Sequence, residues 1–200
     1  MTPTNGLPNK SDSVKDNVNN NGEVKAFSVQ HREMILRFSN SLDEKKKFFD
    51  RHYPESVADS SLNIIAISGC ELYDRYSEDF SCPNILKAVY PIGNLTVRIN
   101  VETRDIENEF YAYEPQIGKS NKSPVQKDFF MSDKNQNIAG IIYSFTDIWN
   151  LKGMNSIGND LIYIGNLYSN KIFNPKSIGI NNIYLPILEN GYLTFKKDFT

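Results

Sequence analysis

The cleanest alternation of apolar and polar positions spans residues 95–102. Leu95, Val97, Ile99 and Val101 are apolar, and Thr96, Arg98, Asn100 and Glu102 between them are polar. A period of two predicts a strand with one buried and one solvated face. Residues 104–108 supply a turn into an antiparallel partner at 109–113. Two denser apolar runs, residues 138–143 and 161–165, are short, β-branched or aromatic, and bounded by Asn, Asp, Gly and Ser. They predict buried strands at a sheet centre, joined by a connection at 144–149 that carries the only tryptophan, Trp149. Residues 62–68 add another buried strand ending at Gly69, and residues 24–29 a short one. Residues 182–187 and 191–195 read as an edge hairpin, because Pro186 lacks the N–H that an interior strand needs.

Helical signals are fewer. Ser41-Leu-Asp-Glu44 has capping-box spacing and predicts a helix from Leu42 to about His52, with Leu42, Phe48, Phe49 and Tyr53 buried. Pro54 stops it, since the residue before a proline is pushed out of the α region. Residues 33–38 fit either a hairpin strand or a helical turn running into that helix. Pro83 opens a second, short helix over 83–90. Residues 115–128 hold Gly, Ser, Asn and Pro and read as an exposed loop, after which Phe129 and Phe130 return to the core. Asn174-Pro175 and Gly179 mark another loop. The polar stretch 1–22 reads as a tail with no face to bury, and residues 23–200 as one domain. The fold class expected is α+β (or α/β): a single mixed, largely antiparallel sheet of about six to eight strands under two or three helices.

Composition narrows the function classes. Hydrophobic residues at 40% and aromatics at 12% are enough for a sizeable core. Lys and Arg (22) nearly balance Asp and Glu (24), for a net charge of −2, so no global basic field exists to hold nucleic acid. Cys70 and Cys82 are too few for a disulfide framework or a zinc cage and read as reduced thiols of a cytoplasmic protein. No apolar run approaches the ~20 residues that span a bilayer, and no secretory signal opens the chain. The abundance of Asn, Lys, Ile and Tyr fits an A+T-rich, bacterial-type gene.

Candidate chemistry begins at Glu23 and Lys25. On a strand, residues two apart share a face. A carboxylate beside an ammonium, joined by a neighbouring acid, holds a divalent cation and positions a water against a phosphodiester. The order Glu-x-Lys, helix, apolar strand over residues 22–68 resembles the second half of a PD-(D/E)xK nuclease core. That resemblance implies Mg²⁺ as cofactor, Glu23 as metal ligand and Glu23 with Lys25 as catalytic residues. The family places a first acid upstream at a strand end, where this chain offers Asp12 and Asp16 in its tail. Otherwise Glu23 and Lys25 are the polar edge of the first strand. Glu102 and Arg104 form a second such spacing, with Asp79 upstream, but arginine is a poor substitute for the lysine. His31 and His52 show no metal-ligand spacing and read as surface or helix-end residues. Gly118-Lys-Ser120 lacks the glycine of a phosphate loop.

A second resemblance covers residues 129–166. The apolar strand ending in Ser144 and the next ending in Asn166 look like the closing segment of uncharacterised bacterial proteins, with Leu167 where proline is usual. It implies a bacterial origin, a single domain and correspondence to the later part of a longer protein. Two functions compete on these readings. One is a binding or regulatory, immunity-like module whose partner is another protein. The other is a Mg²⁺-dependent nuclease, or an inactive relative, acting on nucleic acid.

Overall fold

The computed structural model describes residues 31–53, 61–69, 82–119, 122–131, 133–144, 160–189 and 192–197. The tail, the strand expected at 24–29, Pro54, Cys70, Asp79 and Trp149 lie outside them.

Helix α1 (His31–His52) is twice as long as the capping box implied. Met34, Ile35, Phe38 and Leu42 recur at three- and four-residue spacing, so a helix gathers them on one face, and all four are buried. That stripe carries the helix back through residues 33–38 and leaves Ser41 in its interior. The stripe ends at Leu42. Phe48 and Tyr53 point away from the core at 54% and 47% exposure, and stack instead on His52 and Phe49. Helix α2 (Asn84–Val89) follows Pro83 as expected and buries five of its six residues.

Strands β1 (Asn63–Ser68), β6 (Ile138–Ser144), β7 (Leu161–Gly165), β8 (Asn182–Glu189) and β9 (Tyr192–Lys197) form a mixed sheet in the order β1-β6-β7-β8-β9. The two apolar runs do lie at its centre, paired antiparallel, while β1–β6 and β7–β8 are parallel. β8 is an interior strand, yet its pairing with β7 ends at Tyr184, so Pro186 interrupts no bond on that side. Both faces are covered. Ile141, Tyr143, Ile162, Ile164 and Tyr184 pack with α1 and α2 in the main core. On the other face, Tyr163 and Ile183 pack with Phe173 and Ile180 from the β7–β8 crossover. Gly140 sits at the closest approach within the sheet. A Cβ there would lie 2.5 Å from the Ile164 carbonyl oxygen and 2.6 Å from the Tyr163 hydroxyl, distances no side chain tolerates.

The single sheet of six to eight strands is corrected by the remaining four. β2 (Ile92–Ile99) and β3 (Ile106–Tyr113) form a separate antiparallel ribbon, and β4 (Gln116–Lys119) and β5 (Lys122–Gln126) form another. The second ribbon occupies the stretch expected to be a loop. Both ribbons lie in the long link between parallel β1 and β6, where each strand finds its neighbour in sequence and so pairs locally.

Candidate functional site

Glu23 and Lys25, with Asp12 and Asp16, lie outside the described residues. Glu102 and Arg104 do not share a strand face. They occupy the turn between β2 and β3, where Asn100 Oδ1 accepts from the backbone N–H groups of Glu102 and Thr103 at 3.0 and 3.2 Å. Arg104 adopts the left-handed conformation, φ 62°, that closes the turn. His52 ends α1, its Nδ1 2.8 Å from the Phe48 carbonyl oxygen. Cys82 is a buried thiol beside α2. Among the described residues, no group of three or more His, Cys, Asp or Glu is placed to hold a metal. None of the described helices is long and apolar enough to cross a membrane.

Two features remain. The first is a polar cleft of about 340 Å³ where the start of α1 and the Asn84–Lys87 side of α2 meet the base of the first ribbon and β4. His31, Arg32, Asn84, Lys87, Glu114 and Gly118 are among its walls. Arg32 donates through Nε and Nη2 to the Gly118 carbonyl oxygen at 3.1 and 2.6 Å, fastening α1 to β4. Asn84, almost wholly buried, sets its amide nitrogen 3.1 Å from His31 Nδ1.

Behind the cleft, Lys127 is fully buried, and its Nζ donates to the Ile92 carbonyl oxygen and to Glu114 Oε2, both at 2.6 Å. Burial lowers its pKa from the usual lysine value, and the Glu114 carboxylate opposes that shift. Lys127 therefore clamps both ends of the first ribbon to the strand end of the second. Its neighbourhood in sequence gave no hint of this, since Lys127-Asp128 looks like any solvated loop. The cleft's residues suit holding a polar group. Among the described residues they include no paired carboxylates or nucleophile–base couple of the kind that carries hydrolysis.

The second feature is the β2–β3 ribbon itself. Its base is anchored by Ile92, which is buried, and by Tyr111, which packs on the core. The face expected to be buried is not. Leu95, Val97, Ile99 and Val101 are 46%, 40%, 55% and 91% exposed, and Ile106, Phe110 and Tyr113 are exposed as well. The alternation forms a strand as far as Ile99, with Val101 and Glu102 in the turn beyond it, but a periodic pattern cannot say whether anything lies against it. Paired residues share a face, which places Leu95 with Tyr111, Val97 with Glu109, and Ile99 with Ile106 on one side. Thr96 with Phe110 and Arg98 with Asn108 lie on the other. The ribbon projects as an arm bearing large apolar groups. Compared with protein-family models, with curated proteins and with solved structures, this chain finds no match in any of the three.

Proposed function

We propose that the chain is a binding or regulatory module and that the β2–β3 arm is its working surface. The carrying observation is the exposure of Leu95, Val97 and Ile99 along one strand, with Ile106 opposite Ile99. Large apolar groups gathered on a projecting element mark a surface that is covered in use, whereas single exposed apolar residues are ordinary. The near-neutral charge balance, and a cleft whose described walls hold Glu114 as their one carboxylate, fit a binding role better than a catalytic one.

A photo-crosslinking amino acid in place of Val97 tests this directly. Illumination in cells should give one discrete protein adduct, and the same probe at Lys47, on the exposed side of α1, should not. A smear or no adduct at position 97 would remove the arm from the function. Val97→Asp is the companion variant. Because Val97 is solvated, this change should leave the fold cooperative and cost less than about 1 kcal/mol, rather than the severe penalty of a buried charge.

The alternative, a Mg²⁺-dependent nuclease or an inactive relative, rests on Glu23 and Lys25 and draws support from the order in which α1 and β1 follow them. It requires Mg²⁺ to raise the unfolding temperature and Glu23→Ala to abolish that rise.

A further inference from the structure

The run Leu95-Thr-Val-Arg-Ile99 in β2 has the same polarity read from either end: apolar, polar, apolar, polar, apolar. Among the described residues β2 pairs with β3 alone, and none of them forms a strand along its other edge. A second copy laid antiparallel along that edge, with the two-fold axis through Val97, sets Leu95 against Ile99, Val97 against Val97 and Thr96 against Arg98. All apolar pairs then fall on one face. The one charge, Arg98, meets a threonine instead of its own copy, so nothing in this register repels.

The other edge of the ribbon is unsuited to such pairing. β3 carries Glu107 and Glu109, and its register shifts where Glu107 is passed over between Arg98 and Ile99. Charges and bulges are the devices that keep an edge from accepting a strand. Over Leu95–Ile99, β2 carries a single charge, Arg98, and no extra residue of its own, its irregularity falling earlier, between Ile92 and Leu95. A two-stranded hairpin is also marginal in water by itself, and additional strands are what make it stable.

We propose that β2 of one copy pairs antiparallel with β2 of a second copy about Val97, merging two arms into a four-stranded sheet across an isologous two-fold contact. The occupant of the arm is thus another molecule of this chain, an assignment that rests on the arm being the working surface. The contact is short, below the ~1,200 Å² of a standard stable interface, so dissociation on the order of micromolar is expected.

Sedimentation of the full chain should show a concentration-dependent monomer–dimer equilibrium. Thr96→Glu places a carboxylate opposite Arg98 twice and should tighten the dimer roughly fivefold, while Thr96→Arg should weaken it by a similar factor. Val97→Cys should form a disulfide-linked dimer under mild oxidation, because directly opposed residues of paired strands lie within the Cα separation a disulfide accepts. Glu109→Cys, one strand further from the two-fold on each side, should not. A wild-type chain that stays monomeric at sub-millimolar concentration overturns the proposal. So does a dimer insensitive to both Thr96 changes, or one that Glu109→Cys links as readily as Val97→Cys. The crosslink at position 97 separates the two levels. An adduct of twice the chain's mass supports the dimer, a discrete adduct with a different protein overturns it and leaves the arm's role standing, and no adduct removes both.

Discussion

Lys127 shows how much one side chain can decide. An ammonium without water is costly, and here three contacts offset the cost: the Ile92 carbonyl oxygen, the Glu114 carboxylate and the packing of its aliphatic stem. Glu114 is about half exposed, which weakens the ion pair as a source of stability and makes the geometry of the clamp the more important part. Lys127→Ala leaves the Ile92 carbonyl oxygen and the carboxylate unmatched beside a void. It should cost about 2–3 kcal/mol in urea unfolding. Lys127→Met fills the same volume with apolar atoms and should cost less, on the order of 1 kcal/mol. Equal losses would mean that the charge, rather than the space, is what matters. Asn166 acts similarly at the end of β7. Its amide donates to the carbonyl oxygens of Asn135 and Ile138, both at 2.9 Å, and its Oδ1 accepts from the backbone N–H of Tyr168, so the strand ends in asparagine to satisfy a turn.

At the scale of elements, what was legible followed from period and length. The central strands β6 and β7, β1 and the α2 turn after Pro83 stand where their patterns put them, and the β2–β3 hairpin forms with its turn at 100–105 in place of 104–108. The helix start was misread because two signals competed. Ser41 and Glu44 have capping spacing, but Met34, Ile35, Phe38 and Leu42 form a stripe whose burial outweighs a cap of about 1 kcal/mol. Ser41→Ala therefore loses no N-cap. In a helix interior it should be neutral or raise stability by about 0.5 kcal/mol, as measured by thermal or urea unfolding. A loss near 1 kcal/mol would restore Ser41 as the helix start. The β4–β5 ribbon was missed because its strands are four and five residues long and polar, with Pro124 inside one of them, and neither length nor apolar period marks such strands. The candidate site was scarcely legible at all. His31, Arg32, Asn84, Lys87 and Glu114 meet in the cleft from three segments of the chain, and no local spacing announces a meeting set by packing.

For the molecule as a whole, two buried phenols tie the covering layers to the sheet and make alkaline stability a test of the architecture. Tyr90 follows α2, and its hydroxyl donates to the Gly165 carbonyl oxygen at 2.6 Å and accepts from the Leu167 N–H at 3.2 Å. It lies on the α1/α2 side of the sheet, edge-on to Phe195. Tyr163 lies on the opposite side against Phe173, its hydroxyl donating to the Ala139 carbonyl oxygen at 3.0 Å. Burial raises both phenol pKa values, Tyr163 to about 12 and Tyr90 further. In the unfolded chain each ionises near the ordinary value of about 10. Above that pH the native state holds protons the unfolded state has released, so stability is full below about pH 10 and falls as pH rises through the native values. Lys127 has the opposite sign, because its lowered value makes stability rise with pH until the ordinary lysine range is reached, after which it adds no slope. The net expectation is a stability that holds or rises slightly up to about pH 10 and then drops, each phenol contributing at most about 1.4 kcal/mol per pH unit. Tyr163→Phe removes one of the two contributions while forfeiting a single hydrogen bond, worth about 1 kcal/mol at neutral pH. Urea unfolding of the wild type and this variant between about pH 9 and pH 11.5 should show the variant's decline roughly halved. A decline of unchanged steepness would mean that Tyr163 is not enclosed between the sheet and its β7–β8 crossover, and that the second face of the sheet is open to water.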